Sequence, residues 1–289
     1  MSVEAETGGE LYIVGTPIGN LGDITLRALE TLKTVDRIAA EDTRQTIKLL
    51  NHFGIEKPVT SYFEHNKTVK GPALIQELRQ GKKIALVSDA GMPGISDPGA
   101  DLIKECIACG VRVTVIPGPS ALIAALVGSG LDTAGFLYAG FFPRGEKARR
   151  QVLEGLGQES RTLVFYESPH RLREALTVLR EVWGERQCCV AREITKIYEE
   201  FVRGTISDVL SIFQAKDVKG EITLLVEGKK PGIQAAESIP WDEIETGFNQ
   251  LVAGGMSKKE ALKEMVQTFG VSKKELYNRV MVERKKNKG

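Results

Sequence analysis

The chain has 289 residues, of which 42% are hydrophobic, enough for about two folded domains and a third small piece. Its 39 basic and 38 acidic residues leave a net charge of +1, so no global field marks a nucleic-acid or membrane partner, and any such partner must recognise a local patch. The acidic stretch Met1–Glu10 lacks the apolar core of a signal peptide, and no apolar run could cross a bilayer, which predicts a cytoplasmic protein without membrane contact.

The first predicted unit is a strand, a glycine turn and a helix. The apolar run Leu11–Val14 leads into the turn Gly15–Gly22, and a helix is predicted from Asp23 to about Lys33. The turn lacks the Lys-Ser/Thr of a phosphate-binding P-loop, and its glycines do not fit the G-x-G-x-x-G dinucleotide spacing. Neither of those two nucleotide sites is therefore expected here.

Two further strands are predicted at Arg37–Ala40 and Val59–Tyr62. The first ends in Glu41-Asp42-Thr43-Arg44 and the second in Phe63-Glu64-His65-Asn66. Both endings place charged and hydrogen-bonding groups where a strand stops, which is where open parallel sheets bind ligands.

The stretch Ile84–Gly99 organises the rest of the chain. Its apolar start predicts a buried strand, and the three glycines, two prolines and two aspartates that follow predict a tightly turned, stiffened loop. We interpret Asp97 as the N-cap of the next helix and Pro98 as its first residue. A rigid surface turn is the alternative, but two aspartates at the carboxyl end of a strand favour a small-molecule site.

A fifth strand, Val111–Ile116, ends in Pro117-Gly118-Pro119-Ser120-Ala121 before a helix at Leu122–Val127. Five alternations of strand and helix predict a mostly parallel sheet with helices on both faces and all five turns at one edge. Taken singly, each polar residue of that edge could be a cap or turn residue, but as a set they predict a polar substrate or cofactor cleft. The set comprises Asn20, Glu41, Asp42, Arg44, Glu64, His65, Asn66, Asp89, Ser96, Asp97 and Ser120.

After Gly128-Ser129-Gly130, which we interpret as a hinge, strands outnumber helices, which predicts a mixed second sheet. Its strands are predicted at Phe136–Phe142, Thr162–Tyr166, Cys188–Ala191, Glu200–Val202 and Ile222–Val226, and its helices at Leu172–Trp183 and Ser207–Phe213. The segment Arg144–Arg150 holds four basic residues against one acid and is either a solvated helix face or a phosphate-docking patch.

The four cysteines are too few for a disulfide scaffold in a chain of this length. Cys106 and Cys109 form a C-x-x-C spacing within a helical pattern and without a second pair, so we expect packing rather than redox or zinc chemistry. Cys188 and Cys189 are neighbours in a strand and point to opposite faces, so they are not expected to share a metal.

The C-terminal part is predicted to be a linker, Gly228–Pro240, followed by helices at Trp241–Val252, Ser257–Thr268 and Ser272–Lys285. From Ser257 onward ten Lys or Arg stand against four acids, and the helix-turn-helix outline leaves two readings open, a solvated tail or a nucleic-acid contact. We therefore predict an α/β domain with the central loop at 1–128, a second α/β domain at 129–229, and a linker with a basic helical domain at 230–289.

Seven ordered motifs between residues 11 and 228 resemble the tetrapyrrole-methylase superfamily of S-adenosylmethionine enzymes. These are GTPIGN (15–20), AEDTR (40–44), SYFEHN (61–66), VSDAGMPGISDPG (87–99), IPGPSA (116–121), FYESPHR (165–171) and GEITLLVEG (220–228). Within the superfamily the chain is similar to the ribosomal RNA small-subunit methyltransferase I group, which 2′-O-methylates a cytidine in the decoding region of 16S rRNA within the small ribosomal subunit. The C-terminal helices also fit that group.

The resemblance implies two αβα domains with S-adenosylmethionine in the cleft between them, and a homodimer. It also implies the residues that contact the cofactor, from both domains. These are Ile18, Ser88, Asp89, Ile95, Ser120, Ala121, Tyr166, Glu167, Arg192, Glu193, Ile194, Gly220, Glu221 and Ile222. Tetrapyrrole-modifying members carry Gly-Gly-Asp-Pro in the central loop, whereas this chain has Val-Ser-Asp-Ala, which weakens a C-methyltransferase interpretation.

Methyl transfer from a sulfonium is an in-line displacement that needs no metal, so we expect alignment and desolvation to be the main tasks of the protein. A ribose hydroxyl needs a base that accepts its proton, and the sequence leaves Glu41, Asp42, Glu64 and His65 as candidates.

Basic side chains in three segments are the candidates for phosphate contacts with RNA. They are Arg44, Arg144, Arg149, Arg150, Lys273 and Lys274.

Three rival functions remain: a tetrapyrrole C-methyltransferase, a non-catalytic RNA-binding assembly factor and a nicotinamide oxidoreductase. The basic helices argue against the first, the stiffened acid-bearing loop against the second, and the missing dinucleotide fingerprint against the third.

Overall fold

The computed structural model describes residues 8–230, 241–269, 271–277 and 279–280, and of residues 242 and 274 it describes the backbone only. The chain divides into two compact units, Met1–Lys230 and Pro231–Gly289. The first unit contains two five-stranded sheets. The predicted linker Gly228–Pro240 lies mostly outside the described residues.

The first sheet is entirely parallel, with strand order β3-β2-β4-β1-β5. Its strands are β1 Glu10–Val14, β2 Arg37–Ala40, β3 Val59–Ser61, β4 Lys83–Val87 and β5 Arg112–Ile116. The helices that connect them are α1 Leu26–Thr34, α2 Thr43–His52, α3 Lys67–Arg79 and α4 Gly99–Ala108. Because every connection is a crossover, all five strands end at one edge, as predicted.

Strand β4 shows why this sheet is buried on both faces. Ala85 and Val87 pack into one hydrophobic core with α1 and α2, whereas Ile84 and Leu86 pack into another with α3 and α4. Successive side chains of a strand point to opposite faces, so a central parallel strand needs a continuous apolar run. The four consecutive apolar residues Ile84–Val87, from which the sequence predicted this strand, meet that requirement.

Helix α5 (Ala121–Ser129) joins the two sheets. Leu122, Ala125 and Leu126 pack against the second sheet in one core that also contains Ile18 of the first glycine turn. A Cβ atom on Gly128 would lie 2.6 Å from the Phe201 ring, so the helix approaches the sheet as closely as a glycine permits. The predicted hinge at 128–130 is thus the last turn of α5 and its left-handed cap at Gly130, and the division of this unit at residue 128 stays a prediction.

The second sheet is mixed, with strand order β6-β7-β10-β8-β9 and a parallel pairing only between β6 and β7. Its strands are β6 Phe136–Phe141, β7 Thr162–Glu167, β8 Gln187–Arg192, β9 Glu200–Thr205 and β10 Ile222–Val226. Helices α6 Glu146–Leu156, α7 Leu172–Trp183 and α8 Ile206–Gln214 supply the residues that cover one face. Cys188 packs into the core on that face and Cys189 into the opposite one, which confirms that they point apart.

One predicted helix start is wrong by one residue. Pro98 rather than Asp97 occupies the N-cap of α4, and the helix begins at Gly99. The Asp97 carboxylate nevertheless accepts hydrogen bonds from the Gly99 N–H (2.8 Å) and the Gly94 N–H (2.9 Å). Asp97 therefore closes the central loop onto the helix instead of capping the helix in the usual position.

The second unit contains the helices α9 Trp241–Ala253, α10 Lys258–Phe269 and α11 Lys273–Tyr277. Ile244, Phe248 and Leu262 are among its buried core residues. The Ser257 N–H lies 3.3 Å from Glu260 Oε2 and the Glu260 N–H lies 3.3 Å from Ser257 Oγ, so the two residues form a capping box at the start of α10. The part of the third predicted helix beyond residue 280 lies outside the described residues.

Among the helices that the structure describes, none has the length and apolar character required to cross a membrane.

Candidate functional site

A cleft of about 460 Å³ lies between the loop edge of the first sheet and the second sheet. All of the predicted cofactor residues except Arg192 and Glu193 line it, namely Ile18, Ser88, Asp89, Ile95, Ser120, Ala121, Tyr166, Glu167, Ile194, Gly220, Glu221 and Ile222. Of the four candidate bases only Glu41 lines it. The cleft has the size and the mixed lining of a small-molecule site.

Backbone contacts fix the loops that form the floor of the cleft. Thr16 and Gly91 exchange two hydrogen bonds of 2.9 and 3.0 Å, so the turn after β1 is paired with the central loop. A Cβ atom on Gly15 would lie 2.7 Å from the Cα atom of Gly118, so the turns after β1 and β5 are in direct backbone contact. The loops are therefore held together before any ligand binds.

Asp89 joins the central loop to the next strand end. Its Oδ1 accepts a hydrogen bond from the Asp42 N–H at 2.8 Å, immediately before α2. The adjacent Ser88 hydroxyl donates within its own loop to Ala90 O at 3.2 Å. This leaves the Asp89 carboxylate at the cleft wall with one oxygen engaged by backbone.

Three carboxylates of the first sheet, Glu41, Asp89 and Asp97, line the cleft as an acidic rim. Partial burial, followed by the negative charges of Asp89 and Asp97, raises the pKa of Glu41 above its usual value. A carboxylate with a raised pKa is a stronger base than an ordinary one. Glu41 is thus the candidate base that the geometry and the electrostatics both favour.

The other three predicted bases are engaged elsewhere. Asp42 caps α2, accepting from the Arg44 N–H (2.9 Å) and from the Arg44 guanidinium, and these hydrogen bonds lower its pKa to about 2. Glu64 forms an ion pair with Lys67 at 2.8 Å. The His65 ring packs edge-on against Phe63. None of these three side chains lines the cleft.

Aromatic side chains of the second sheet form the opposite wall. The Tyr166 ring lies 5.2 Å from that of Tyr138 and 5.5 Å from that of Phe141, measured between centroids. Tyr138 OH and Ser96 Oγ are 2.6 Å apart, so this wall is hydrogen-bonded to the central loop of the first sheet. Ser96 has a φ of 61°, a strained value for a residue other than glycine.

Glu167, at the end of β7, is buried in the cleft wall. Its Oε1 accepts from the Ser168 N–H (2.6 Å) and pairs with the Arg171 guanidinium (2.9 Å), whereas its Oε2 has no hydrogen-bond partner in the described part of the chain. Burial raises the pKa of this carboxyl. A buried acceptor without a partner is costly, and because the Glu167 side chain has no exposed surface, Oε2 lies inside the wall and not on the surface that a ligand would touch.

Arg192 and Glu193 stand behind the cleft wall. The Arg192 guanidinium binds Glu200 (3.1 Å) and the carbonyl of Lys219 (3.1 Å). Glu193 Oε1 accepts from the Glu221 N–H at 3.0 Å. Both residues thus support the turn that precedes β10 rather than the cleft surface itself.

Arg149 is a correction to the predicted phosphate contacts, because its side chain is fully buried. Its guanidinium donates to the carbonyls of Pro143 (2.6 Å) and Arg144 (3.3 Å) and forms an ion pair with Glu174, 2.6 Å away. Arg149 therefore holds the β6–α6 loop from inside and presents no charge to RNA.

The remaining basic candidates reach the surface to different degrees. Arg44 pairs with Asp42 yet is 85% exposed, and Arg144 is exposed on the β6–α6 loop. Arg150 forms ion pairs with Glu146 and Glu181. Lys273 is exposed in the second unit, and the side chain of Lys274 lies outside the described residues.

Several cleft residues were not predicted: Ala90, Gly91 and Met92 of the central loop, and four residues in or next to the second sheet. Phe141, Ser168, Pro169 and Thr223 line the cleft beside the predicted Tyr166 and Glu167. Ser168 and Pro169 belong to the FYESPHR motif, so the motif carried the signal. Thr223 likewise belongs to the GEITLLVEG motif, whereas Phe141 has no comparable signal, because a strand residue can face either side of its sheet.

Residues 10–210 match the sequence profile of the family Tetrapyrrole (Corrin/Porphyrin) Methylases. Proteins called ribosomal RNA small subunit methyltransferase I are 47% identical in Halalkalibacterium halodurans and 45% in Bacillus subtilis, each over 93% of this chain and 94% or 93% of the relative. The protein of that name from Thermotoga maritima is 50% identical over 77% of this chain and 100% of its own length.

Two solved structures share the fold at low sequence identity. A cobalt precorrin-4 methyltransferase has a TM-score of 0.56 at 16% identity and covers 75% of this chain and 94% of its own. The uroporphyrin-III C-methyltransferase of Thermus thermophilus has a TM-score of 0.52 at 19% identity, covering 76% of this chain and 94% of its own. Both confirm the predicted fold class of two α/β layers around a cleft. On the profile match and the identities above, the chain belongs to the tetrapyrrole methylases, and within them to the group called ribosomal RNA small subunit methyltransferase I.

Proposed function

We propose that this chain transfers a methyl group from S-adenosylmethionine to the ribose 2′-hydroxyl of a cytidine in the decoding region of 16S rRNA. The observation that carries the proposal is the cleft, where a base with a raised pKa, Glu41, shares a small-molecule site with the family's cofactor motifs. The names of relatives that are 42–50% identical over most of the chain support ribosomal RNA as the substrate.

The residues of the cleft fit S-adenosylmethionine. The acidic rim suits a ligand that carries positive charge. Phe141 and Tyr166 line the cleft and Tyr138 packs edge-on against Tyr166, so these rings supply an apolar wall that excludes water. When bound, the cofactor supplies an electrophilic methyl group on a sulfonium.

The protein's own part in the reaction is alignment and proton removal. In this proposal Glu41 accepts the proton of the ribose hydroxyl, and its negative neighbours Asp89 and Asp97 strengthen it as a base. Asp89, tied to the Asp42 backbone, fixes the distance between the central loop and the start of α2, which carries Arg44. Glu41, Asp89 and the exposed Arg44 are thereby arranged around the same edge.

In this proposal the polar side chains at this edge contact the target nucleotide, and exposed basic residues contact the RNA phosphates. Arg44, Arg144 and Lys273 remain the candidates for phosphate contacts, each on an exposed segment. The protein is expected to act in the cytoplasm, where small subunits are found, and to do so as a homodimer, which sedimentation would test.

The rival functions are weaker on the same comparisons. The tetrapyrrole C-methyltransferases among the solved structures are only 16–19% identical, which supports a shared fold and no shared substrate. Membership of a methylase family leaves no basis for a nicotinamide oxidoreductase or a non-catalytic assembly factor.

The decisive experiment is transfer of labelled methyl from S-adenosylmethionine to small ribosomal subunits that lack the modification, with the product nucleotide mapped by mass spectrometry. We expect label on one decoding-region ribose. Label on a base, or none in a preparation that binds the cofactor in calorimetry, would contradict the proposal.

A further inference from the structure

The loop between β8 and β9, residues 193–199, is strained, fastened and exposed at its tip. Among the described residues, three positions other than glycine have a positive φ, and two of them, Glu193 (53°) and Thr195 (69°), lie in this loop. The third is Ser96, in the central loop that lines the cleft. Strain of this kind persists where the surrounding structure imposes it, and it concentrates at functional sites.

Ion pairs and hydrogen bonds hold the base of the loop to the cleft. The Lys196 ammonium donates to Glu193 Oε1 (2.7 Å) and to Glu221 Oε2 (3.1 Å), and Glu221 lines the cleft. The Thr195 N–H donates to Glu199 Oε2 at 2.7 Å, which closes the loop on itself. Ile194, between these anchors, is itself part of the cleft wall.

The first glycine turn packs against the same loop from the other sheet. A Cβ atom on Gly19 would lie 2.5 Å from Lys196 Cγ and 3.0 Å from Thr195 Oγ1. Thr195 Oγ1 is buried and has no hydrogen-bond partner within the described residues. The loop is therefore braced by both halves of the unit.

The tip of this braced loop consists of Ile197 and Tyr198, which are 94% and 73% exposed. Ile197 is the most exposed large hydrophobic side chain in the part of the chain that the structure describes. Two turns, closed by Lys196 N–H to Glu193 O (3.0 Å) and Glu199 N–H to Lys196 O (3.1 Å), present the pair outward. An apolar pair on a rigid support beside a catalytic cleft is preorganised for contact.

We propose that Tyr198 is a stacking platform for an unpaired base next to the target cytidine, with Ile197 packing against the same nucleotide. This inference rests on the proposed function. Single-stranded RNA is recognised by splaying bases onto aromatic side chains, and a flat ring on a rigid loop is what such contact requires. The Lys196 ammonium is engaged by Glu193 and Glu221, so the tip offers RNA a ring and an aliphatic side chain and not a free charge.

The test compares Tyr198→Ala with the wild type in binding to unmodified small ribosomal subunits and in the KM of methyl transfer to them. Loss of one base–aromatic stack should weaken binding and raise KM by about 5- to 150-fold. Cofactor affinity in calorimetry and kcat at saturating subunits should stay within about twofold of the wild type. Ile107→Ala, which removes another exposed apolar side chain (62%) from the last turn of α4, is the matched control and should change neither quantity.

Two conservative variants separate stacking from general apolar contact. Tyr198→Trp keeps an aromatic face and should restore binding, whereas Tyr198→Leu keeps only apolar area and should behave like Tyr198→Ala. If the loop tip instead contacted a second copy of this chain, Tyr198→Leu would keep that contact and Tyr198→Ala would have a changed sedimentation coefficient. That result would overturn the proposal.

The remaining outcomes are equally decisive. Wild-type KM and subunit affinity in Tyr198→Ala would overturn the platform while leaving the proposed function intact. A fall in cofactor affinity as large as the fall in subunit affinity would also overturn it, because the loop would then belong to the cofactor site. A wild-type protein that neither binds nor methylates small subunits would overturn the proposed function together with the platform.

Discussion

The first sheet lines the cleft with carboxylates, whereas the second lines it with aromatic rings and one buried glutamate. The difference follows from topology. A parallel sheet brings all its strand ends to one edge, so residues far apart in sequence, such as Glu41 and Asp97, meet there as an acidic rim. The mixed sheet instead contributes residues at the ends of β6 and β7 and at the start of β10, namely Phe141, Tyr166, Glu167, Ile222 and Thr223.

The division suggests separate tasks for the two halves. The acidic rim of the first sheet removes the proton in the proposed reaction, whereas the second sheet shapes the cleft and excludes water from it. The hydrogen bond between Ser96 and Tyr138 connects the two. Four measurements test whether the two halves have these separate tasks, and the first has the largest expected effect.

Removing the proposed base should have the largest effect. Glu41→Gln is expected to lower kcat by at least about 100-fold, because general-base catalysis contributes about 10²–10⁴-fold. Cofactor affinity, measured by calorimetry, should change little. The matched control is Asp42→Asn, which keeps a good N-cap for α2 and should cost less than about tenfold in kcat. If Asp42→Asn were the more damaging variant, the base would have been assigned to the wrong one of the two acids that follow β2.

The buried Arg149 should matter for stability rather than for RNA. Arg149→Met leaves the Pro143 and Arg144 carbonyls without their donor and should lower the free energy of unfolding by about 1–3 kcal/mol, measured in urea.

The exposed Arg144 is the comparison for that variant. Arg144→Ala should leave the free energy of unfolding within about 0.5 kcal/mol of the wild-type value. It should reduce the salt slope of subunit binding by about one unit. The opposite pattern, a stable Arg149→Met with a reduced salt slope, would restore Arg149 as a phosphate contact.

The bridge between the two walls should have a moderate effect. Tyr138→Phe removes the hydroxyl that lies 2.6 Å from Ser96 Oγ and should weaken cofactor binding by about 2- to 10-fold, the equivalent of one net hydrogen bond. Tyr12→Phe is the control, because it removes a hydroxyl that donates to Glu10 (2.7 Å) on β1 and lies outside the cleft lining. Equal cofactor affinity in both variants would show that the bridge does not shape the cleft.

The smallest effect is one of pH on stability. The pKa of Glu41 is raised in the folded protein above the ordinary value of 4.5, so the folded state holds this proton more tightly than the unfolded state. Ionised Glu41 therefore opposes folding, and Glu41→Gln should have a higher thermal midpoint than the wild type near pH 7.

This gain in thermal midpoint should shrink as the pH falls through the raised pKa of the folded state, and it should vanish below 4.5, where Glu41 is protonated in both states. Melting curves of both proteins across that range would test it. A gain that is independent of pH would mean that Glu41 is not desolvated in the folded protein.

The sequence by itself determined the elements and their arrangement in the first sheet. Short apolar runs that stop at charged residues predicted strand β2 at Arg37–Ala40 and strand β10 at Ile222–Val226 with correct bounds, and the 3.6-residue period predicted α7 at Leu172–Trp183. These features depend on neighbouring residues, so a local pattern is sufficient to predict them. The ordered motifs likewise identified most of the residues that line the cleft.

Only the tertiary structure decided which polar side chains face the cleft. Glu41 and Asp42 are adjacent in one motif, yet Glu41 lines the cleft while the Asp42 carboxylate turns to the start of α2. Arg149 lies in a basic cluster that looks solvated, yet carbonyls six and five residues earlier and Glu174 on α7 bury it. The direction of a side chain depends on partners distant in the chain, and the sequence pattern around a residue carries no record of those partners.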